Sequence, residues 1–151
     1  MPLVLFEIRD NIALLTLNNP EKRNMLTFEV CEMIVDYVAQ AEQHPDVKAL
    51  IVTGNGPAFC AGGQLTDITA DQLMLENIYS GFLSIAQCEL PTIAAVNGPA
   101  VGAGFNMAVG CDVRIVTEKS RFEPRFFGLG LHPGGGNSWM LRQLVNWNTA
   151  A

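Results

Sequence analysis

The sequence predicts an α/β fold with largely parallel strand pairing, and three observations support this prediction. Short β-type apolar runs alternate along the chain with stretches of helical periodicity, a pattern typical of parallel sheets joined by crossover helices. Hydrophobic residues make up 49% of the 151 residues and charged residues only 16%, as expected of a heavily buried chain or of one with large interfaces. A chain of this length can also bury a core without disulfides or metals.

The first third of the chain predicts a hairpin, a helix and a third strand. The apolar runs 3–9 and 12–17 flank Asp10-Asn11, a pair that tolerates the positive φ angles of a two-residue hairpin. Thr27 is placed to cap a helix that ends before His44-Pro45. Residues 49–53 form an apolar strand, which a turn-rich loop at 54–63 follows. The apolar positions of the helix fall on one face, at 26, 30, 33, 34, 37, 38 and 41.

The rest of the chain repeats the alternation. A second helix is expected from about Asp71 to Gln87, although Gly81 weakens it. A buried strand at 92–96, a glycine turn, a small-residue helix from Gly102 and a strand at 112–117 follow. The pair Asn148-Thr149 is typical of a helix cap, and the chain ends two residues later. The apolar face of the second helix contains Met74, Ile78, Phe82 and Ile85.

Composition and charge exclude several classes of function. A net charge of −6 argues against nucleic-acid binding, which depends on clustered Lys and Arg. The four cysteines, at 31, 60, 88 and 111, form no CxxC motif and have no histidine at ligand spacing, so we expect no metal site. With no signal peptide predicted, they are interpreted as reduced, mostly buried thiols of a cytoplasmic protein.

The uncharged stretch from Leu90 to Cys111 is long enough to cross a bilayer. Its prolines, glycines and asparagines instead favour a buried strand, a turn and a short helix, so no membrane span is predicted.

The sequence also lacks the common nucleotide-binding motifs. The chain contains no Gly-Lys pair for a P-loop, and Met107 stands where a dinucleotide fingerprint starting at Gly102 requires glycine. The GxSxG motif of hydrolases is also missing.

Two loops at strand ends remain as candidates for chemistry: AFCAGGQL at 58–65 and AAVNGPAVGAGFNMAVGCD at 94–112. Each follows a β-type run and contains small residues, so the backbone N–H groups of Gly63 and Ala103 can point outward. Two convergent amides form an oxyanion hole, which stabilises charge on a carbonyl oxygen. The alternative is that both loops are only tight turns under close packing.

These loops, followed by GLGLHPGGGNSWMLRQL at 128–144, closely resemble the crotonase superfamily, whose enoyl-CoA hydratases and isomerases carry FCAGADL, AAVNGxAxGGG and GxxPGxGG. The resemblance covers nearly the whole chain in the same order. It implies a spiral of ββα units, an acyl-CoA thioester as ligand, no cofactor beyond its coenzyme A moiety, and the amides of Gly63 and Ala103 as the oxyanion hole.

The resemblance also implies how the chain is organised. Residues 1–151 would form one acyl-CoA-binding core, incomplete at its C-terminus because the helical trimerisation segment of the family is missing. The full-length form would be a homo-oligomer, a trimer or a hexamer. Without the closing helices we expect an exposed apolar face and self-association.

The segment LNNPEKRNML at 17–26 resembles the first coenzyme A contact of the family. Lys22 and Arg23 are the expected counter-charges for phosphate, because no Lys or Arg occurs between Lys48 and Arg114. A solvated pair ahead of the first helix is the alternative interpretation. By resemblance, the backbone around Ala61, Gly62, Gln64 and Leu65 would take the adenine.

The catalytic residues of the hydratases are not preserved. That family uses two glutamates, and this sequence has Asn106 and Arg125 at those positions. Asparagine does not titrate and arginine stays protonated, while a positioned acid or base typically contributes about 10²- to 10⁴-fold in rate. Ordinary hydration is therefore expected to be slow.

Four residues are candidate substitutes. Glu123 could reach the cavity or form an ion pair with Arg125. His132 could titrate near neutrality, although a histidine bonded to backbone at a turn is favoured. Cys60 is better explained as a thiol that fills space behind the loop, and Asp67 as a cap or surface carboxylate.

The sequence therefore indicates an acyl-CoA-binding enzyme of the enoyl-CoA hydratase/isomerase type that stabilises a thioester enolate. Two alternatives stay open. One is a catalytically inactive binding or assembly paralogue, and the other is a thioester hydrolase or isomerase with a different acid or base.

Overall fold

Seven strands and five helices are present in the computed structural model, which describes residues 1–64 and 72–150, without the side chains of 72–74. The strands are β1 (Val4–Arg9), β2 (Ile12–Leu17), β3 (Ala49–Gly54), β4 (Thr92–Val96), β5 (Pro99–Val101), β6 (Val113–Val116) and β7 (Arg121–Glu123). The helices are α1 (Phe28–Gln43), α2 (Gln72–Ala86), α3 (Ala103–Gly110), α4 (Asn137–Leu144) and α5 (Trp147–Ala150). Two 3₁₀ turns lie at Pro20–Lys22 and Phe127–Leu129.

The main sheet has the strand order β1-β2-β3-β4-β6. Only β1 and β2 are antiparallel, and the three other pairings are parallel. The predicted hairpin is confirmed, because Asp10 and Asn11 both have positive φ, 50° and 65°, and join the paired ends Arg9 and Ile12. The α/β prediction with largely parallel pairing is thus confirmed.

Helix α1 has the predicted start and end, and four of the predicted apolar positions within it are buried, while Met33 and Tyr37 are half-buried. The Thr27 hydroxyl oxygen accepts a hydrogen bond from Val30 N at 3.4 Å, which satisfies one of the amides that a helix N-terminus leaves open. The helix ends at Gln43, before His44. Its buried residues are Val30, Cys31, Ile34, Val38 and Ala41.

A second, shorter layer continues each parallel strand of the main sheet. Strands β5 and β7 pair in parallel, Cys60 forms a bridge with Ala100, and Gly63 forms a bridge with Leu26. Strand β4 is followed by β5 and α3, and the run after β3 continues through the bridges at Cys60 and Gly63. This is the spiral of ββα units that the resemblance implies. The pattern analysis alone missed β5 and β7, which have only three residues each.

The segment 90–111 forms β4, β5 and α3 rather than one continuous helix. The buried residues of α2 include Ile78, Phe82 and Ile85 as predicted, whereas Asp71 and the side chain of Met74 lie outside the described residues. Within the described ranges, no helix combines the length and hydropathy needed to span a bilayer.

The predicted cap at Asn148-Thr149 is wrong by two residues. Helix α5 begins at Trp147, and the side-chain oxygen of Asn146 accepts hydrogen bonds from Thr149 N and Thr149 Oγ1, both at 3.0 Å. Asn146 is therefore the residue that caps the helix, and Thr149 contributes the N–H that is capped.

The four cysteines are free thiols, and Cys31, Cys60 and Cys111 are buried. Two of them pack against helical glycines. A methyl group on Gly104 would lie 2.8 Å from Cys60 Sγ, and one on Gly81 would lie 2.8 Å from Cys31 Sγ. Gly81, which weakens α2 in isolation, is thus explained by close packing against α1.

Large apolar side chains are exposed on the C-terminal segment and on the edge strand β6. The exposed fraction is 79% for Phe127, 69% for Trp139 and 66% for Trp147, and Val113, Ile115 and Val116 in β6 are at least half exposed. The expected apolar exposure is confirmed, while self-association stays a prediction.

Candidate functional site

A cavity of about 480 Å³ lies between the two glycine-rich loops, helix α2 and the segment that follows β7. Aliphatic and aromatic side chains of α2 and of the C-terminal segment form much of its wall, as in most small-molecule sites. Its lining residues include Ala61, Gly62, Gly63, Ile78, Tyr79, Phe82, Gly102, Ala103, Asn106, Arg125, Phe126, Leu131 and His132. Both predicted amide residues and three predicted side chains therefore share one cavity.

Backbone pairing determines the direction of the Gly63 amide. The carbonyl oxygen of Gly62 accepts from Leu26 N at 2.8 Å, and Gln64 N donates to Leu26 O at 3.0 Å. In a trans peptide the C=O and the following N–H point in opposite directions, and the described residues contain no cis peptide bond. The Gly63 N–H thus points away from Leu26, and no acceptor for it occurs among the described residues.

The Ala103 amide lies at the N-terminus of α3. The Gly102 carbonyl accepts the first helical hydrogen bond, from Asn106 N at 3.0 Å, and Gly102 N donates to Glu123 O at 2.9 Å. By the same peptide geometry, the Ala103 N–H points out of the helix end. Within residues 1–64 and 72–150, this N–H also has no protein acceptor.

The two loops touch each other through glycine. A methyl group on Gly62 would lie 2.7 Å from the Val101 carbonyl oxygen and 3.5 Å from the Ala103 nitrogen. Gly62 has φ +94° and Gly102 has φ +55°, backbone conformations that glycine adopts without strain. Each candidate amide therefore follows a glycine in this region, and both amides line one cavity, as a pair of donors to a single oxygen requires.

The predicted coenzyme A segment lies directly against the first loop. The Arg23 carbonyl oxygen accepts from Ala61 N at 2.9 Å, and the side chains of Lys22 and Arg23 are exposed. This exposure agrees with both interpretations of the pair. Of the residues predicted near adenine, Ala61, Gly62 and Gln64 are described, and Leu65 lies outside the described residues.

Asn24 positions the first loop of the site through hydrogen bonds, a role that was not predicted from the sequence. It is buried, its Nδ2 donates to Asn55 O and Ala58 O, both at 2.9 Å, and its Oδ1 accepts from Asn19 N at 2.9 Å. These bonds fasten the Lys22-Arg23 turn to the loop that leads to Gly63. The signal available in the sequence was an asparagine in a polar turn, a residue type that often bonds neighbouring backbone.

Asn106 projects from α3 into a buried polar cluster. Only 1% of the residue is exposed, its Nδ2 donates to Gly134 O at 3.1 Å, and its Oδ1 accepts from Asn137 Nδ2 at 2.6 Å. Asn137, the first residue of α4, is buried as well and was not predicted. The amide of Asn106 is thus engaged at both ends and joins α3 to the glycine turn before α4.

Arg125 lies at the cavity in an exposed turn with a left-handed backbone, φ +58°. Its Nε donates to Glu123 Oε2 at 2.8 Å, which confirms the predicted ion pair. Glu123 is not among the residues that line the cavity, so the alternative in which it reaches the cavity is not what the structure shows.

His132 lines the cavity and is exposed. The expectation that it bonds to backbone at the turn is wrong, because neither ring nitrogen has a hydrogen-bond partner in the described part of the chain. The ring therefore borders the cavity without a hydrogen bond to the described residues that would fix its orientation.

Cys60 is fully buried, and burial raises the pKa of its thiol to about 12. It is therefore a packing residue rather than a nucleophile at neutral pH. Asp67, the fourth candidate substitute, lies outside the described residues. In the ranges that the structure covers, no three His, Cys, Asp or Glu side chains gather as metal ligands would.

Comparison with known proteins gives a family match over almost the whole chain. The family profile described as Enoyl-CoA hydratase/isomerase matches residues 7–151. "Probable enoyl-CoA hydratase EchA14" of Mycobacterium tuberculosis is 46% identical over 147 residues, which cover 94% of this chain and 57% of the relative. The 1,2-epoxyphenylacetyl-CoA isomerase of Escherichia coli is 33% identical over 96% of this chain and 59% of its own length.

Solved structures agree with this match. An enoyl-CoA hydratase from Mycobacterium avium subsp. paratuberculosis superposes with a TM-score of 0.90 at 30% identity, over 99% of this chain and 61% of the other chain. The chain thus spans somewhat more than half the length of the relatives that it matches.

Proposed function

The chain belongs to the enoyl-CoA hydratase/isomerase family, and from this premise we propose that it binds an acyl-CoA thioester and stabilises negative charge on the thioester oxygen. The donors would be the amides of Gly63 and Ala103. One observation carries the proposal: the Gly62–Gly63 and Gly102–Ala103 peptides each turn their carbonyl into the fold and their N–H out of it, beside the same cavity. One such donor is typically worth about 3 kcal/mol in the transition state.

The coenzyme A moiety is the only cofactor that the proposal requires. Lys22 and Arg23 would face its phosphates, since they form the exposed turn that is bonded to Ala61, and adenine would lie along the backbone of residues 61–65. Coulomb attraction between exposed groups is weak and falls with salt. We therefore expect these side chains to support affinity and the two amides to determine chemistry.

The reaction is proposed to be enolate formation rather than efficient hydration. Neither Asn106 nor Arg125 can exchange a proton at neutral pH, so the positions of the two family glutamates would supply no general acid or base. An enolate or a tetrahedral thioester intermediate would still be stabilised by the amides. His132 is the histidine proposed for proton transfer, because it lines the cavity and has no hydrogen-bond partner among the residues that the structure describes.

The second candidate function is a binding or assembly paralogue without turnover. The observation that favours it is the full engagement of Asn106, whose amide bonds Gly134 O and Asn137 Nδ2. Under this hypothesis, the position that a glutamate occupies in the family has a structural role here.

The whole protein is proposed to be cytoplasmic and a homo-oligomer, a trimer or hexamer in its full-length form, with residues 1–151 as its acyl-CoA-binding core.

Calorimetry with acetoacetyl-CoA on the Ala103→Pro variant tests the oxyanion hole. Proline is well tolerated at the first position of a helix and has no N–H, so the variant removes one donor and keeps α3. We expect weaker binding of acetoacetyl-CoA by about tenfold or more, the effect of losing one charge-assisted hydrogen bond, with unchanged affinity for coenzyme A. Ala103→Ser, which keeps the amide, is the matched control. Equal affinities in all three proteins contradict the oxyanion hole.

Measuring turnover of crotonyl-CoA distinguishes an enzyme with a substitute acid or base from a paralogue without catalytic activity. Release of product from crotonyl-CoA above background, lost in His132→Gln, supports an enzyme with a substitute acid or base. No turnover in the wild-type chain, but measurable hydration in the Asn106→Glu, Arg125→Glu double variant, supports the paralogue without chemistry.

A further inference from the structure

Two basic side chains line the cavity of an otherwise acidic chain. Arg125 and His132 both border it, whereas the described lining residues include no aspartate or glutamate. The protein as a whole carries a net charge of −6. A site that holds a cation next to apolar walls favours a ligand with an apolar stem and an anionic end.

The guanidinium of Arg125 forms one hydrogen bond and has further N–H donors that no described residue occupies. Its Nε donates to Glu123 Oε2 at 2.8 Å, while its two terminal nitrogens have no partner among the described residues. Glu123 itself is outside the cavity wall. The ion pair thus positions the planar group, and the free terminal nitrogens form a fork that matches a carboxylate.

The turn that carries Arg125 lies next to the predicted oxyanion loop. Gly102 N donates to Glu123 O at 2.9 Å, and a methyl group on Gly102 would lie 3.9 Å from Pro124 O. The backbone that precedes Arg125 is therefore in contact with the loop that presents the Ala103 amide. An acyl chain whose thioester is bound at this amide would extend through the same cavity that Arg125 borders.

Arg125 also has an unusual backbone for its residue type. A φ of +58° is uncommon for a side chain of this size, and such conformations concentrate at ligand sites. The turn at 124–126 that Arg125 forms lines the cavity.

We propose that the cavity selects an acyl-CoA whose acyl chain ends in a carboxylate, with Arg125 as the specificity-determining residue and His132 as a second polar contact. The inference rests on the proposed binding of acyl-CoA thioesters and names the substrate class of that site. The carboxylate would accept hydrogen bonds from the terminal nitrogens of Arg125 while the thioester oxygen accepts from the amides of Gly63 and Ala103.

Competition calorimetry with succinyl-CoA, butyryl-CoA and coenzyme A tests this inference, because the two acyl groups have four carbons each and differ in the terminal carboxylate. We expect wild-type protein to prefer succinyl-CoA by about tenfold, the effect of one charge-assisted hydrogen-bonded contact. Arg125→Gln should weaken succinyl-CoA binding about tenfold more than butyryl-CoA binding and so abolish the preference, and Arg125→Lys should restore part of it. Arg121→Gln is the matched control, since Arg121 lies four residues earlier, in β7, bonds Glu118 O and Ser120 O, and does not line the cavity.

Each outcome decides between the two proposals. Equal affinity of wild-type protein for both thioesters overturns the carboxylate inference and leaves acyl-CoA binding standing. Equal weakening of all three ligands in Arg125→Gln overturns it as well, because Arg125 would then contact coenzyme A. Failure of all three ligands to bind the wild-type protein overturns the proposed function itself.

Discussion

Asn106 and Arg125, at the two positions where the resemblance places glutamates, lie in opposite environments. Asn106 is 1% exposed and its amide is bonded at both ends, to Gly134 O and to Asn137 Nδ2. The Arg125 side chain is 64% exposed and has one ionic partner, Glu123. Both nevertheless border the same cavity.

This difference teaches that the two positions are under different physical constraints. A glutamate at 106 would bury a charge and, when ionised, could not donate to the Gly134 carbonyl. A side chain at 125 faces solvent and the cavity mouth, so its chemistry can change at little cost in stability. The buried position is thus part of the scaffold, and the exposed one is available for ligand selection.

The largest effect is expected for Asn106→Leu. This change leaves the buried Asn137 Nδ2 without its acceptor and removes one of the two donors to Gly134 O, which keeps the bond from Asn137 N at 3.2 Å. An unsatisfied buried group costs about 1 to 3 kcal/mol, so we expect the free energy of unfolding, measured by urea titration, to fall by about 2 kcal/mol.

A double-mutant cycle with Asn137→Leu sharpens this test. The two single variants lose the same hydrogen bond, so their effects should not add. Additive losses, or a loss below about 0.5 kcal/mol for Asn106→Leu, would show that burial of Asn106 does not make it structural.

A second prediction concerns the contribution of hydrogen bonds to stability at an exposed carboxylate, Asp112, rather than at a buried side chain such as Asn106. The exposed Asp112 carboxylate accepts from Thr92 N at 2.8 Å and from Thr92 Oγ1 at 2.9 Å, and these bonds lower the pKa of Asp112 below its usual 3.8. Thr92→Val removes the hydroxyl, which donates to the carboxylate and accepts from Asp112 N at 3.0 Å, and should lower the free energy of unfolding at pH 7 by about 1 kcal/mol.

The sign of the pH dependence follows from the direction of that shift. A carboxyl whose pKa is lower in the folded state stabilises the fold above the pKa of the unfolded chain and loses this contribution as the pH falls. The difference between Thr92→Val and wild type should therefore narrow below about pH 3.8. Thr92→Ser keeps the donor and is the control, and parallel pH profiles for all three proteins would refute the assignment.

The sequence predicted elements best where periodicity and a cap coincide. Helix α1 has both a regularly spaced apolar face and the cap Thr27, and the hairpin has Asp10-Asn11 between two apolar runs. Strands β5 and β7 escaped prediction because three residues carry no measurable alternation, and their pairing is determined by the stacking of distant loops.

The candidate site was predictable where glycines signal backbone geometry, as at 62–63 and 102–103. The polar cluster of Asn106 and Asn137 was not, because it depends on contacts between residues 31 positions apart. The lack of a hydrogen-bond partner for the His132 ring among the described residues was not predicted for the same reason. A turn-forming sequence does not show whether backbone groups lie within reach of the ring.

The smallest effect is expected for the exposed turn. Arg125→Gly removes one exposed ion pair, worth at most about 1 kcal/mol, and relieves a left-handed backbone that costs a non-glycine residue about 1 kcal/mol. Because these terms nearly cancel, the free energy of unfolding should stay within about 0.5 kcal/mol of wild type. Glu123→Gln, which breaks the same ion pair and keeps the backbone, is the control and should also change it by less than about 0.5 kcal/mol. If both variants lost more than about 1 kcal/mol in the free energy of unfolding, the turn at 125 would contribute to stability as the Asn106 cluster does. The proposed difference between a structural position 106 and a replaceable position 125 would then be wrong.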